Sequence, residues 1–490
     1  MRCIFLSILS LSLIQSTSAQ KHDNVWTFGY NSIDPHPDFG GTNVTFDDNQ
    51  VGAELVDRDA RFKNMSTTSI SNASGELRLM YNGCTLYDGN NMEVEGSETL
   101  VRNDTDVEQT WWCIDGYNVP HGAVLLPNPY DSLRYYLLYR DMVEIEQQPY
   151  YVSDSLHAAS IYSDGVDSYV EWKDAIVDDT VSITGLSVVK HANGVDWWIM
   201  LKDEWENLYY KVLIDDQGIS HHSTQYINDT PTTPNGGVPK KISPDGKYMV
   251  TVDPFYDFEL FEVDRFDGTL TPYLSFAATP LLEGAIVADL EFSSSGEYLY
   301  VAHRDTLYQF DMTVGKEDFY DSRIVVGVRD TFVDPFPTNF WLMQRAPDGK
   351  IYMCSRNSSS FLHVIHKPDE KGQACEFENN GLSLPVVNAS AMPYFPNFRL
   401  GPDAGWVSTT EQVAVSDISV YPNPTSDRLH IKSDRAVDQV QLWDVTGRLL
   451  KTVTNQSSMS IGEYPAGLYI VKAWQVGEVL PVAKLVTVVK

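Results

Sequence analysis

The stretch Ser243 to Asp253, "SPDGKYMVTVD", decides how most of this 490-residue chain is read. Asp245 and Gly246 suit a tight hairpin turn, because glycine reaches positive φ without steric cost and aspartate accepts hydrogen bonds from nearby backbone. The run after the turn is dense in aromatic and β-branched residues, which favour strands. The theme returns five more times, as "SNASGELRLMYNG" from Ser71, "NPYDSLRYYLLYRD" from Asn128, "HANGVDWWIMLKD" from His191, "SSSGEYLYVAH" from Ser293 and "APDGKIYMCSR" from Ala346.

The turn centres Gly75, Ser132, Gly194, Gly246, Gly296 and Gly349 lie 57, 62, 52, 50 and 53 residues apart, a period suited to repeated four-stranded units. Long runs with apolar residues at helical spacing between convincing caps are missing, so a Rossmann or TIM layout has little support. Short strands at a long, regular period predict an all-β chain built as a β-propeller, whose ring closure hides the sheet edges. Six copies plus one divergent unit give seven blades, with six or eight as alternatives. The divergent unit is expected to combine the N-terminal "VWTFGYNSIDPHPDFGGTNVTF" with the late "GLSLPVVNASAMPYFPNF".

Composition sets the surroundings. With 43% apolar residues and a mean hydropathy of -0.25 the chain reads as soluble. Its opening, "MRCIFLSILSLSLIQSTSAQ", has a basic residue, a short apolar run and small residues before Gln20, the layout of a secretory signal peptide over residues 1–19 cut between Ala19 and Gln20. The apolar run is short for a membrane span and no later segment is longer, so no transmembrane segment is expected. The net charge is -32. From Asp417 onward there are eight basic and seven acidic side chains, leaving 26 basic and 60 acidic over residues 20–416, a contrast that marks a domain boundary. So acidic a domain repels phosphates, which excludes nucleic acid and anionic lipid as natural partners.

After the signal peptide four cysteines remain, Cys84, Cys113, Cys354 and Cys375, without the spacing of a zinc site. In an exported chain, local pairing of Cys84 with Cys113 and of Cys354 with Cys375 is the natural expectation, although four cysteines allow three connectivities.

The blocks "WTFGYNSID", "GAVLLPNPYDSLRYYLLY", "SVVKHANGVDWWIM", "KISPDGKYMV", "LEFSSSGEYLYVA" and "RAPDGKIYM" resemble a family of exported propeller proteins of Bacteroidota, WD40- or YVTN-like in fold. The resemblance covers nearly all of residues 25–400 and implies an extracellular or surface location, with no settled activity and no catalytic residues. The propeller is accordingly assigned to residues 20–400 and a Gly-, Pro- and Ser/Thr-bearing linker to 401–416.

Residues 417–490 change register. Seven short candidate strands, from Ile418–Tyr421 to Ala483–Val489, with turns at "VTGR", "YPAG" and "QVGE", predict a small Ig-like β-sandwich. Pro422 and Pro424 sit where the first strand ends, so neither removes a donor from a ladder, and Asn423 can form an Asx turn between them. The blocks "YPNPTSDRLHI", "VQLWDVTGRLLKT" and "YPAGLYIVKA", with "KLVTVVK" closing on Lys490, resemble the type A C-terminal sorting domain of the type IX secretion system. The resemblance implies that this unit is read by the outer-membrane translocon and then removed, its cargo released or attached to the surface. It carries a sorting role onto Pro422, Asn423, Pro424, Gly447, Arg448, Gly467, Tyr469 and Lys490; Gly447 and Gly467 serve equally well as turn glycines.

Enzyme signatures are missing: the sequence has no G-x-S-x-G, H-E-x-x-H, P-loop or G-x-G-x-x-G after a strand. Neither "DRDARF" at Asp57 nor "DDNQ" at Asp47 follows calcium-loop spacing. His121 and His191 flank strands; turn or core histidines bonded to backbone are the favoured reading, with a place facing a central funnel the alternative, and His221 and His222 read as an exposed loop pair. Of the tandem Trp111–Trp112 and Trp197–Trp198, packing between blades is the favoured use, with sugar stacking the alternative. Asp178 and Asp179 would point to opposite sides of a strand, which unsuits them to glycoside hydrolysis. No metal or cofactor is expected. The composite expectation is a secreted or cell-surface propeller that binds an extracellular glycan or protein, exported through the type IX translocon; the alternative is a secreted hydrolase or lyase acting on extracellular polymer.

Overall fold

The computed structural model describes residues 20–33, 36–47, 50–101, 119–140, 143–144, 151–182, 185–227, 240–252, 257–277, 287–332, 336–406, 419–433, 436–444, 448–475 and 482–490. The predicted signal peptide with Ala19, as well as Trp111, Trp112, Cys113 and Gly447, lies outside them. The chain divides into two compact units, 1–406 and 407–490.

Among the described residues the first unit holds seven antiparallel sheets of three or four strands, which follow one another along the chain, plus the short hairpin Val143–Glu144 with Tyr151–Val152. Their innermost strands are Val25–Gly29, Thr68–Ser71, Val124–Pro127, Ser187–Lys190, Lys241–Ile242, Val287–Phe292 and Phe340–Arg345. In the last five sheets the strands run outward to four. The first two stop at three, Val25–Gly29, Gly41–Asp47, Gln50–Val56 and Thr68–Ser71, Leu77–Tyr81, Leu86–Asp88. This is a seven-bladed β-propeller. The ring closes where Phe377–Asn388, the outer strand of the last blade, packs on the strands of the first.

The recurring turn is built as its sequence demands. Ser243 Oγ accepts from Lys247 N at 3.1 Å and Tyr248 N at 2.9 Å, Gly246 N donates to Ser243 O at 2.8 Å, and Gly246 has φ +76°. In the third blade, where no glycine stands, Asn128 and Asp131 side chains do the same work by accepting from Tyr130 N and Leu133 N. Strand alternation then interlocks the blades. Trp197 belongs to the large central core while its neighbour Trp198 packs toward the fifth blade, its Nε1 donating to Arg265 O at 3.0 Å.

Three expectations are corrected. The divergent blade is not assembled from both ends: the N-terminal stretch completes its own sheet with Gln50–Val56, and "GLSLPVV" pairs instead with Ser359–Ile365, Leu382 opposite Leu362. Cys354 and Cys375 are free, buried thiols rather than a disulfide. Alternation explains this: Tyr352 and Cys354 face the core around Trp26, whereas Ile351, Met353 and Cys375 pack on the opposite side of the seventh sheet. Cys84 is disulfide-bonded. Finally, residues 401–406 are packed, not linking: Arg265 Nη2 donates to Gly401 O at 2.7 Å, Asp403 N donates to Ala192 O at 2.8 Å, and Trp406 lies edge-on to His191 at 5.1 Å.

The second unit has a three-stranded sheet, Ser419–Tyr421, Arg428–Lys432 and Ser458–Ser460, and a four-stranded one in the order Leu449–Thr454, Val437–Asp444, Gly467–Gln475, Val482–Val488. Leu429, Ile431, Val440, Leu442, Met459, Val471 and Val486 form the core between them, giving the small sandwich.

Candidate functional site

The axis of the ring is filled by the chain itself. Beyond Asn388 the segment "NASAMPYFPNF" leaves the last sheet and is buried from Ser390 to Pro396. Its two ends are fastened by Ser390 N donating to Lys63 O at 3.1 Å and by Asn397 Nδ2 donating to Pro244 O at 2.8 Å. Between them Gln344 holds Phe395 by both its backbone groups, accepting from Phe395 N at 3.1 Å and donating to Phe395 O at 3.3 Å. Phe395 stacks on Trp26 at 6.0 Å, and Tyr394 OH accepts from Val188 N at 3.3 Å.

Around Tyr394 sits a buried polar cluster. His121 stacks on its ring at 4.9 Å and Lys241 Nζ lies 5.3 Å from the ring centroid. Lys241 Nζ also donates to Glu291 Oε2 at 3.0 Å and Met343 O at 2.9 Å. Asp289 accepts from Met343 N at 2.6 Å and Leu290 N at 2.8 Å, and stands 3.9 Å from His121 Nε2. Burial pushes the Asp289 carboxyl up to about 7 and holds His121 well below its ordinary value, so the pair favours its uncharged forms. Among the described residues neither ring nitrogen of His121 has a hydrogen-bond partner. A cavity of about 20 Å³ between Lys241, Gln344 and Tyr394 has room for a water and no more. His121 is therefore a buried histidine stacked under Tyr394 and does not face an open funnel.

At the end of the strands that carries the recurring turns, a groove of about 740 Å³ opens among the second, third and fourth blades. Gln20, His22, Arg78, Asn128, Tyr130 and Lys190 line it. Lys190 Nζ lies 5.3 Å from the Trp197 ring and donates to Gln20 Oε1 at 3.5 Å; burial, then the neighbouring Arg265, lowers its pKa to about 8. His22 Nδ1 donates to Ser71 O at 2.7 Å, and burial keeps the ring below its usual pKa. Tyr130 is half exposed and donates to Asp196 Oδ1 at 2.6 Å. In a domain so acidic, the gathering of Arg78, Lys190 and His22 is the chemical distinction of this groove. No local motif announces it, since its residues come from four separate turns and strand ends.

The other sequence-singled residues do structural work. His191 caps its turn, Nε2 donating to Phe266 O at 3.0 Å and Nδ1 accepting from Asn193 N at 3.1 Å. His221 and His222 lie on the outer strand of the fourth blade, not in a loop. Asp179 accepts from Tyr210 OH at 2.6 Å. Asp47 accepts from Asn24 Nδ2 at 3.2 Å.

In the second unit, Asn423 Oδ1 accepts from Thr487 N at 2.9 Å, and the adjoining Thr425 makes a parallel bridge to Val488. Pro422 and Pro424 flank Asn423 in cis. Tyr469 is in the sandwich core with its hydroxyl on Pro465 O at 2.9 Å. Arg448 pairs with Asp444, Nε donating to Oδ2 at 3.1 Å. Among the described residues a Cβ at Gly467 would meet the Tyr469 ring at 3.8 Å, an ordinary contact, so none of them demands glycine there. Lys490 is exposed at the chain end.

Residues 419–487 match the family described as secretion system C-terminal sorting domain. No curated protein sequence matches the chain. Among solved structures it is similar to the periplasmic gluconolactonase PpgL of Pseudomonas aeruginosa, at 14% identity and a TM-score of 0.44, over 75% of this chain and 97% of that one. It is also similar to PorZ, a surface component of the type IX secretion system of Porphyromonas gingivalis, at 11% identity and 0.37, over 92% and 63%. A third is the Cps50 (Swd1) propeller domain of Myceliophteria thermophila, at 13% and 0.35, over 69% and 94%. The chain is thus a β-propeller that carries a type IX secretion C-terminal sorting domain, an exported protein of the cell surface or the medium.

Proposed function

We propose that this protein is a secreted or surface-displayed binding protein that takes an extracellular glycan in the groove among its second, third and fourth blades. One observation carries the reading: the groove has the volume of a ligand site and presents an exposed tyrosine ring beside the donors of Arg78, Asn128 and Lys190. A sugar ring stacks on such an aromatic face while its hydroxyls meet polar groups. Export starts at the signal peptide, with cleavage between Ala19 and Gln20, and ends with the translocon reading the sorting unit through Pro422, Asn423, Pro424, Gly447, Arg448, Gly467, Tyr469 and Lys490.

The test is retention of the full-length chain on a panel of neutral and acidic polysaccharides, with product analysis by chromatography. Retention of intact glycan, weakened roughly tenfold by Tyr130→Ala, supports the reading, since loss of a stacking partner costs on the order of 1 kcal/mol or more. Shorter products would favour the hydrolase or lyase alternative. Retention of a protein and no glycan would move the ligand to that class.

A further inference from the structure

A second site goes beyond this reading, because it lies at the far ends of the strands from the groove. Arg140 ends the strand Arg134–Arg140, whose other end starts at the groove-lining turn Asn128–Leu133. Glu204 follows the strand Trp197–Lys202, and Lys240 precedes Lys241–Ile242, so all three residues gather at the loop ends of the third, fourth and fifth blades.

Arg140 and Lys240 are each only 5% exposed. Among the described residues none of the three guanidinium nitrogens of Arg140 has a hydrogen-bond partner. Lys240 likewise makes no ion pair or side-chain hydrogen bond among the described residues. A buried cation with unused donors is strongly unfavourable unless something pairs with it. Glu204 is the carboxylate within electrostatic reach of both; it forms no ion pair with either among the described residues and has its own Oε2 unpartnered, while Glu259 and the like-charged Lys202 act on Lys240 alone of the two. Burial pushes Glu204 up to about 7 and brings Lys240 down to about 7, so Glu204 is a weak counter-charge for the Arg140 guanidinium. Gly185, at φ +63°, packs closely on the Lys240 backbone: a Cβ there would stand 2.9 Å from Lys240 N.

We propose that Arg140 and Lys240 form a buried oxyanion-binding site that takes a single carboxylate or sulfate group. The guanidinium fork meets two oxygens of a planar or tetrahedral anion, and the ammonium adds a point charge. Glu204 opposes the anion and keeps the site selective for a well-placed group.

The experiment follows thermal unfolding and calorimetry of the full-length chain with sodium acetate and, separately, sodium sulfate, against sodium chloride at matched ionic strength. A saturable rise in Tm with acetate or sulfate but not with chloride is expected, and the tighter of the two identifies the group. Arg140→Gln should weaken that affinity roughly tenfold or more, the loss of charge-assisted hydrogen bonds. Glu204→Gln should tighten it several-fold by removing a competing carboxylate, and Lys247→Gln, at an exposed cation, should leave it unchanged. No saturable response, or equal losses in Arg140→Gln and Lys247→Gln, overturns the proposal. If Arg140→Gln does not fold, Glu204→Gln decides: unchanged or weakened binding counts against the site.

Discussion

Asn423 Oδ1 accepts the backbone N–H of Thr487 at 2.9 Å, across 64 residues of chain. Thr425 continues the clasp, its N–H on Thr487 O at 2.9 Å and its carbonyl taking Val489 N–H at 2.8 Å. The front of the sorting unit thereby fixes its last strand. Asn423→Ala should cost this unit about 1 kcal/mol, the net worth of one such bond. Faster proteolysis of the last strand and a smaller exported fraction are the expected readouts. Export at the wild-type level with a loosened strand would separate the clasp from recognition.

The axial pair gives a pH dependence with a defined sign. Asp289, raised by burial to about 7, binds a proton in the folded state that the unfolded chain has already released. Its contribution is full below the ordinary carboxyl value and is lost as pH rises from about 4 to about 7. His121, held low by burial, acts in the opposite sense below its ordinary value of 6.5. Asp289→Asn should therefore raise stability at pH 7.5 relative to pH 4.5 more than wild type does, as read by urea unfolding at the two pH values.

Gly194 tests where the propeller ends. It has φ +72°, and a Cβ there would lie 2.5 Å from Pro402 N. Gly194→Ala should destabilise by roughly 1–3 kcal/mol through backbone strain and displacement of 401–406. New cleavage between residues 401 and 406 in limited proteolysis is the specific sign; a chain as resistant as wild type would mean that segment is not held by this turn.

Thiol labelling checks the seventh blade. Alkylation of unreduced protein should modify Cys354 and Cys375 only after denaturation, because both are buried and burial raises both thiols above their ordinary pKa. Mass spectrometry of the peptides reads this directly. A Cys354–Cys375 linked peptide would overturn the face assignment.

The sequence alone determined what depends on neighbours along the chain. Turn residues at Gly246 and its counterparts, strand-forming runs after them, the charge step near Asp417 and the "YPNP" block are local patterns, and turns and strand propensity act locally, so blade units and the sorting sandwich were legible. Tertiary structure alone decided what depends on residues far apart. Cys354 and Cys375 look like a pair at 21 residues' separation, yet strand alternation sends them to opposite sides of one sheet. Segment 388–398 is expected in the divergent blade, but Tyr394 and Phe395 instead fill the ring's axis, packed against Trp26 and a buried polar cluster. Arg140, Glu204 and Lys240 carry no motif; they meet because three successive blades turn their strand ends the same way, a consequence of ring geometry that no single stretch of sequence contains.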